Sequence, residues 1–211
     1  MSKKVVMNEW EKMWKDFDRH TFLGEYFFNK IKDKLNEILI EIKIPKKSKV
    51  IDVGCGSGRT LLWLRSMGYK NSIGIDHSKS SIQYCINKNN LKKNDVFLMD
   101  AFKTKFKNNT FDLVFSEGLI EHFKNFNPVV KEMCRISKRY VIIVQPNHFS
   151  FLKFLSNFFY IFYKWRGPPE YTYKIEDFEK SFSKHNFYLK KIKSTLFNGF
   201  WILLFEKSKV K

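Results

Sequence analysis

Three glycines stand at alternate positions, Gly54, Gly56 and Gly58, directly after the apolar run Val50–Val53. The residues that follow are typical of the start of a helix. A strand, a glycine turn and a helix N-terminus together form a cradle for a cofactor, because glycine permits positive φ and lets a ligand approach the backbone. The spacing is G-x-G-x-G and differs from the dinucleotide fingerprint G-x-G-x-x-G, whose last glycine would fall at Arg59.

Acidic residues accompany the predicted strands next to this turn. Asp52 lies in the first strand, and Asp76, Asp100 and Glu117 each end a later one. Because the carboxyl ends of parallel strands line the crevice where α/β sheets bind ligands, we expect these carboxylates to face one site. They suit a ligand that carries positive charge and no phosphate. Asp76 is also placed to accept hydrogen bonds from ribose hydroxyls.

The elements that must hold these residues alternate along the chain. From residue 49 onward, apolar runs typical of strands are followed by segments typical of helices. The pattern predicts strands at 50–53, 72–75, 95–99, 111–116 and 139–144, with helices at 59–67, 79–89 and 127–136. Such alternation implies a parallel sheet with right-handed crossovers. Two helices, at 8–18 and 22–43, are predicted to open the chain, and a helix at 174–185 and strands at 187–195 and 199–207 to close it.

In these motifs the chain resembles the class I S-adenosylmethionine-dependent methyltransferases, most closely their small-molecule branch known as type 11. Val50–Thr60 resembles the first motif of that family, and Asp76 its ribose-binding acid. Asp100 and Ala101 resemble its adenine-contacting pair, and Phe111–Phe123 resembles its fourth-strand motif. The four motifs follow the order and spacing of the family.

The resemblance covers roughly residues 49–144 and implies an α/β fold. We expect a doubly wound, seven-stranded, mostly parallel sheet of the Rossmann-like methyltransferase type, with a helical N-terminal cap and an aromatic insert after the fifth strand. A single domain over residues 1–211 is predicted. Its parts are an N-terminal cap (1–45), a cofactor-binding core (46–145), a substrate-cap insert (146–174) and a C-terminal helix with strands (175–211).

The resemblance implies that S-adenosyl-L-methionine is the cofactor and that no metal is required. The residues that match the family's motifs are the candidate cofactor-binding residues: Asp52, Gly54, Cys55, Gly56, Gly58, Asp76, His77, Asp100, Ala101, Glu117 and Gly118.

His122 is the candidate catalytic residue, because the family often carries a histidine at this place. We expect it to contact the substrate or to act as a base. The alternative is a histidine that only hydrogen-bonds a loop carbonyl. The candidate substrate-binding residues are Trp14, Tyr26, His122, His148, Phe154 and Phe158. For the aromatic stripe of the first helix, the alternative to a role in the site is packing on the sheet.

The segment 146–174 is strongly aromatic and interrupts the alternation of strands and helices. Its apolar run is too short and interrupted to span a bilayer, which needs about 20 residues. Three interpretations stay open. The segment caps an apolar substrate, lies at the surface of an anionic membrane through its basic flanks, or packs as a helix on the domain.

The net charge is +18, from 39 Lys+Arg against 21 Asp+Glu. One interpretation is attraction to an anionic partner such as nucleic acid, anionic lipid or an acidic metabolite. The other is genomic bias, since the chain has 23 phenylalanines and a single alanine. Base-methylating enzymes often carry Asn/Asp-Pro-Pro-aromatic after the fourth strand, where this chain has Ser116–Leu119. We therefore expect no specific nucleic-acid site.

The three cysteines, Cys55, Cys85 and Cys134, form no C-x-x-C pair, which argues against a disulfide framework or a zinc site. A reducing compartment is expected, and residues 1–12 lack the apolar core of a leader. The predicted location is cytoplasmic, with peripheral membrane contact as the alternative.

The expected function is transfer of a methyl group from S-adenosylmethionine to an oxygen or nitrogen atom of a small molecule, apolar or aromatic in character. The alternatives are an RNA or protein methyltransferase, and a non-catalytic S-adenosylmethionine-binding protein. The sequence leaves the oligomeric state and the acceptor atom open.

Overall fold

The computed structural model describes residues 3–15, 22–150, 170–195 and 198–208. Its helices are α1 (Lys3–Lys15), α2 (Phe22–Glu41), α3 (Arg59–Ser66), α4 (Lys79–Asn87), α5 (Asn127–Ile136) and α6 (Ile175–Ser183). Its strands are β1 (Val50–Val53), β2 (Ser72–Asp76), β3 (Val96–Leu98), β4 (Phe111–Glu117), β5 (Ser137–Pro146), β6 (Phe187–Thr195) and β7 (Phe200–Lys207). A short 3₁₀ turn, Ile120–His122, follows β4.

The seven strands form one sheet in the order β3-β2-β1-β4-β5-β7-β6. Strands β1 to β5 are parallel, whereas β7 is antiparallel to both β5 and β6. The strand order reverses between β1 and β4, and this switch point is where open α/β sheets bind their ligands. The predicted seven-stranded, mostly parallel sheet is confirmed.

Apolar side chains fill both faces of the sheet. On one face, α5 and α6 bury Met133 and Phe178 against the strands. On the other face, α2 and α3 bury Leu35, Ile38 and Leu64. Each side chain of this size contributes about 1.5–3 kcal/mol when it is fully buried. The helices are therefore held rigidly against the strands, and the strand ends are fixed in space.

The two N-terminal helices have different places in the fold. Helix α2 packs on the sheet and contributes to the core, whereas α1 lies beside α4 at the carboxyl edge of the strands. Within the predicted cap of residues 1–45, α1 is thus the helix that covers this edge. It begins at Lys3, five residues before the predicted start at Asn8, and the described part ends at Lys15.

Strand β5 is longer than the predicted 139–144, because it pairs with β7 from Tyr140 to Pro146. The other predicted elements are found within a few residues of their expected bounds. Most of the predicted insert, residues 151–169, lies outside the described residues, as do Phe154 and Phe158. Among the helices that are described, none is both long and apolar enough to cross a membrane.

Candidate active site

The glycine turn is fixed by hydrogen bonds to the end of β2. The amides of Gly54 and Cys55 both donate to the carbonyl of Ile75, at 2.8 and 2.9 Å. The Asp76 carboxylate accepts from the amide of Gly56 through Oδ2 and from the amide of Ser78 through Oδ1, both at 2.9 Å. Each carboxylate oxygen has a second lone pair for a ligand. Asp76 therefore ties the turn to β2 and can still accept a hydrogen bond.

Asp52 is a buried carboxylate below the turn. It is 2% exposed, and its Oδ1 has no hydrogen-bond partner among the described residues. Burial raises the pKa of Asp52 well above its usual range, and the nearby charges of Glu117 and Asp76 act in the same direction. A buried carboxyl oxygen without a hydrogen-bond partner is costly unless a ligand supplies a donor or a positive charge. Asp52 therefore marks a place for a cationic or hydrogen-bonding group.

Glu117 links the end of β4 to the start of α3. Its carboxylate accepts from Arg59 Nη2 at 2.5 Å and from Thr60 Oγ1 at 2.8 Å. The Arg59 guanidinium also stacks over the Phe28 ring of α2, 4.5 Å from its centroid. These contacts neutralise Glu117 and hold the first turn of α3 beside the switch point.

The turn, the strand ends and α1 enclose a cavity of about 360 Å³, a size typical of small-molecule sites. Its carboxylates are Asp52, Asp76, Asp100, Glu117, Glu121 and Glu170, and its aromatic walls come from Trp10, Trp14, Phe102, Phe123 and Phe200. The cavity is thus both acidic and apolar.

Helix α1 closes one side of the cavity and is anchored to α4. Its Glu11 carboxylate accepts from the hydroxyls of Ser78 and Ser80, both at 2.6 Å. A carboxylate is favoured at this place by the dipole of α4, whose N-cap is Ser78. On the same helix, the Trp10 ring packs edge-on against His122, with 4.8 Å between ring centroids. The predicted aromatic stripe therefore faces the cavity through Trp10 and Trp14.

Glu121 and His122 lie in the 3₁₀ turn after β4, and both side chains are buried. Burial, with added repulsion from Glu170, raises the pKa of Glu121 to about 8. Its Oε1 lies 3.9 Å from His122 Nε2, and its Oε2 has no hydrogen-bond partner among the described residues. The backbone carbonyl of Glu121 accepts from the amide of Tyr171 at 2.6 Å, which brings the neighbouring Glu170 to the cavity.

The structure brings most of the predicted site residues together. Those that line the cavity are Trp14, Asp52, Gly54, Cys55, Gly56, Asp76, His77, Asp100, Ala101, Glu117, Gly118 and His122. The Cys55 side chain points toward β2, because a Cβ atom added at Gly74 would lie 2.8 Å from its Sγ. Cys55 therefore lines the cavity with its backbone.

Three predicted residues lie away from the described lining. Gly58 caps α3 and faces Leu91, which would lie 2.7 Å from a Cβ at this position. Tyr26 is 47% exposed on α2. His148 is not part of the cavity lining, but its Nε2 lies 3.8 Å from Oε2 of the lining residue Glu170.

Several lining residues were not among the predicted site residues: Trp10, Glu121, Phe123, Glu170 and Phe200. Glu121 is adjacent to the predicted His122, and Trp10 precedes Trp14 by four residues, so a signal for both was present in the sequence. Glu170 and Phe200 have no local signal, because tertiary contacts alone bring them to the cavity.

The comparisons with known proteins agree with this geometry. Residues 51–144 match the family model described as a methyltransferase domain. Sterol 24-C-methyltransferase erg6 of Schizosaccharomyces pombe is 30% identical over 121 residues, which cover 56% of this chain and 32% of that protein. The match thus spans about a third of this curated relative.

Solved structures share the fold over nearly the whole chain. Magnesium protoporphyrin IX methyltransferase (ChlM) of Synechocystis PCC 6803 aligns with a TM-score of 0.74 at 18% identity, covering 98% of this chain and 100% of that one. A putative methyltransferase in complex with the Haloferax volcanii Trm112 activator aligns with a TM-score of 0.74 at 14% identity, covering 95% and 98%. At such identities the likeness concerns the fold.

The strand order, the glycine turn and the acids at the strand ends define the class I methyltransferase fold. Within that class, residues 51–144 match the model of the type 11 methyltransferase domain family.

Proposed function

We propose that the protein is an S-adenosylmethionine-dependent methyltransferase that acts on an oxygen or nitrogen atom of a small molecule. The observation that carries the proposal is the buried Asp52, whose unpartnered Oδ1 lies beside the glycine turn and Asp76. S-adenosylmethionine has the complementary chemistry, since it carries a sulfonium, an ammonium and ribose hydroxyls and has no phosphate. A dinucleotide would instead bring a pyrophosphate to these carboxylates.

The residues present fit this cofactor. Asp76 would accept from the ribose, and Asp100 with Ala101 would contact the adenine. The apolar side chains of Met99 and Phe102 line the same part of the cavity. When bound, S-adenosylmethionine supplies a methyl group that is already electrophilic. The protein then has to align the acceptor and to keep water out, and α1 with its two tryptophans is placed to exclude water.

Two side chains that can accept a proton from the substrate lie beside the part of the cavity that fits the cofactor. His122 and Glu121 are adjacent, buried and part of the cavity wall. Either group can take a proton from an oxygen or nitrogen nucleophile if the nucleophile lies within hydrogen-bond reach. The aromatic walls at Trp10, Phe123 and Phe200 favour an acceptor with an apolar or aromatic body.

Titration calorimetry with S-adenosylmethionine, S-adenosylhomocysteine and NAD tests the proposal. Binding of both sulfur nucleosides without measurable NAD binding is the expected result. Tight NAD binding with no affinity for either nucleoside would overturn the proposal. Binding of both nucleosides without methyl transfer to any member of a broad acceptor panel would instead favour the non-catalytic alternative.

A further inference from the structure

A second cavity lies at the amino edge of the sheet, opposite the edge that carries the candidate active site. Its volume is about 390 Å³, and it is lined by the loop between α2 and β1 and by the first residues of β4 and β5. It shares no lining residue with the active-site cavity. Because β1 has four residues that each rise about 3.3 Å, the two cavities lie more than about 10 Å apart.

The lining of this amino-edge cavity is strongly basic. It contains four lysines, one arginine and a single carboxylate, that of Asp112. Lys138 Nζ lies 3.1 Å from Oδ1 of Asp112, so these two charges compensate each other. Arg139 is paired with Glu206, which lies outside the lining, at 2.9 Å. The other three cations of the cavity have no carboxylate left within the lining to neutralise them.

These three cations are Lys43, Lys47 and Lys49. Within the part of the chain that the structure describes, none of their ammonium groups forms an ion pair or a hydrogen bond. Lys43 directly follows the end of α2, where the negative end of the helix dipole already favours a positive charge. Lys47 and Lys49 have no such structural reason to be charged. Together they leave a concave place in the protein with an excess of positive charge.

Ser48 lies between these two lysines and adds a neutral donor. It is 6% exposed and lines the cavity, and its hydroxyl has no hydrogen-bond partner among the described residues. The backbone around it is fixed, because its amide donates to the Pro45 carbonyl at 2.9 Å and the Lys49 amide donates to Asp112 Oδ2 at 2.8 Å. A buried hydroxyl without a partner is unfavourable. A molecule that enters the cavity would supply the missing partner.

We propose that the amino-edge cavity binds a small phosphorylated molecule. Its phosphate oxygens accept hydrogen bonds from the ammonium groups of Lys47 and Lys49 and from the hydroxyl of Ser48. A phosphate group carries up to about two negative charges and three acceptor oxygens, which match two cations and three donor groups. Ile42 and Pro45 give the rest of the molecule an apolar wall. This inference goes beyond the methyltransferase function and does not depend on it.

The burial of Ser48 favours a small molecule over an extended polyanion. A membrane surface or a nucleic-acid backbone would meet the exposed lysines, but a hydroxyl that is 6% exposed is reached only by a group that enters the cavity. A carboxylate would also enter, but it brings one charge and two oxygens to three donor groups. Phosphate chemistry therefore fits the cavity better than either alternative.

Titration calorimetry with pyrophosphate, inorganic phosphate and malonate tests the proposal at physiological salt, with and without S-adenosylhomocysteine. Pyrophosphate should bind most tightly and malonate least tightly, and S-adenosylhomocysteine should leave these affinities unchanged. The double variant Lys47→Gln/Lys49→Gln should weaken pyrophosphate binding tenfold or more, as for hydrogen bonds to a charged group. Lys105→Gln/Lys107→Gln is the matched control, because it removes two exposed lysines of the same spacing outside the cavity. It should change the affinity less than about twofold.

Ser48→Ala separates a binding role from a structural one. It should weaken pyrophosphate binding about tenfold, the loss expected for one hydrogen bond to a charged group. The melting temperature of the free protein should not fall, because the hydroxyl has no partner to lose. Asp112→Asn should act in the opposite direction and tighten pyrophosphate binding severalfold, since it removes the one negative charge of the lining.

Vesicles with and without phosphatidic acid distinguish a soluble phosphate from a lipid headgroup. Ser48→Ala should leave sedimentation with these vesicles unchanged. If it abolishes vesicle binding while pyrophosphate binds neither protein, a lipid is the ligand and the proposal is overturned. Absence of pyrophosphate binding, or equal losses in the two double-lysine variants, would also overturn it. If Ser48→Ala does not fold, Lys47→Gln/Lys49→Gln decides. Failure of S-adenosylhomocysteine to bind would overturn the methyltransferase function and leave this inference untouched.

Discussion

The indole ring of Trp14 lies against the backbone of Gly56. A Cβ atom added at Gly56 would fall 2.8 Å from Cζ2 of this ring, closer than side chains approach one another. Gly56 also has φ = +51°, in the left-handed region that favours glycine. Helix α1 and the cofactor turn are thus packed together without room for a methyl group, so the position of one limits the position of the other.

Gly56→Ala should weaken binding of S-adenosylhomocysteine about tenfold, since the left-handed conformation alone costs a non-glycine residue about 1–2 kcal/mol. The double variant with Trp14→Ala should lose less affinity than the sum of the single variants, because the clash with the ring is removed. Gly68→Ala is the matched control. Its φ is +94°, but its added Cβ would meet only the Lys46 side chain, at 3.5 Å. Strict additivity of the two effects would contradict the contact.

Asp76→Ala should weaken binding of S-adenosylhomocysteine by about 1.5–3 kcal/mol, the range for hydrogen bonds to a charged group. The loss has two sources, because the carboxylate is placed to accept from the ribose and also holds the amides of Gly56 and Ser78. Calorimetry on the folded variant measures the change, and Asp33→Ala on the exposed face of α2 is the control. An unchanged dissociation constant would refute the assignment of Asp76.

The cofactor side of the site could be predicted from the sequence because its determinants are local. The glycine turn directly follows β1, and Asp76 ends β2. Parallel pairing of β1 with β2 is enough to bring the glycine turn and Asp76 together. The same pairing places Asp52 opposite Gly74. Neither step needs information about distant parts of the chain.

The acceptor side could be predicted only in part, because long-range contacts assemble it. Glu11 meets Ser78, which lies 67 residues further along the chain. Glu170 reaches the cavity through a backbone hydrogen bond from Tyr171 to Glu121. The spacing of residues along a helix or strand carries no information on such contacts. His122 was found because it stands in a motif, whereas Glu121 beside it was missed.

Glu11→Ala should loosen α1 while leaving the sheet intact, since it removes the acceptor of two hydroxyls at the start of α4. Hydrogen exchange of the α1 amides should accelerate about fivefold, for a net loss of about 1 kcal/mol. The exposed Lys12→Ala on the same helix is the control and should change little. Equal exchange in both variants would show that the contacts of Glu11 do not hold α1 in place.

The basic surface should bind single-stranded RNA weakly and without sequence preference. Such binding releases counterions, so the logarithm of the affinity should fall with the logarithm of salt by about 0.7 per phosphate neutralised. Filter binding of two unrelated RNA sequences at several salt concentrations tests this. Sequence-selective binding that survives physiological salt would instead support the alternative of an RNA methyltransferase, which the net charge of +18 alone favours.

Glu121→Gln should make the protein more stable above neutral pH. The pKa of Glu121 is raised in the folded state to about 8, mainly by burial, whereas the unfolded chain has the ordinary value of 4.5. Between these values the folded state binds more protons than the unfolded state. The free energy of unfolding of the wild type therefore falls as the pH rises through this range. The side-chain amide of the variant would carry no charge, so the contribution of residue 121 to the pH dependence of the unfolding free energy should vanish.

Urea unfolding of both proteins at a series of pH values between about 5 and 8 measures the effect, and the stability difference should grow steadily with pH to a few kcal/mol. Asp52→Asn must be measured beside it, because burial also raises the pKa of Asp52 and so contributes a slope of the same sign. The exposed Glu179→Gln should reproduce the wild-type profile. If Glu121→Gln and Glu179→Gln have the same dependence on pH, Glu121 ionises in the folded protein as readily as in the unfolded chain. The carboxyl group would then already be compensated by its neighbours in the folded protein.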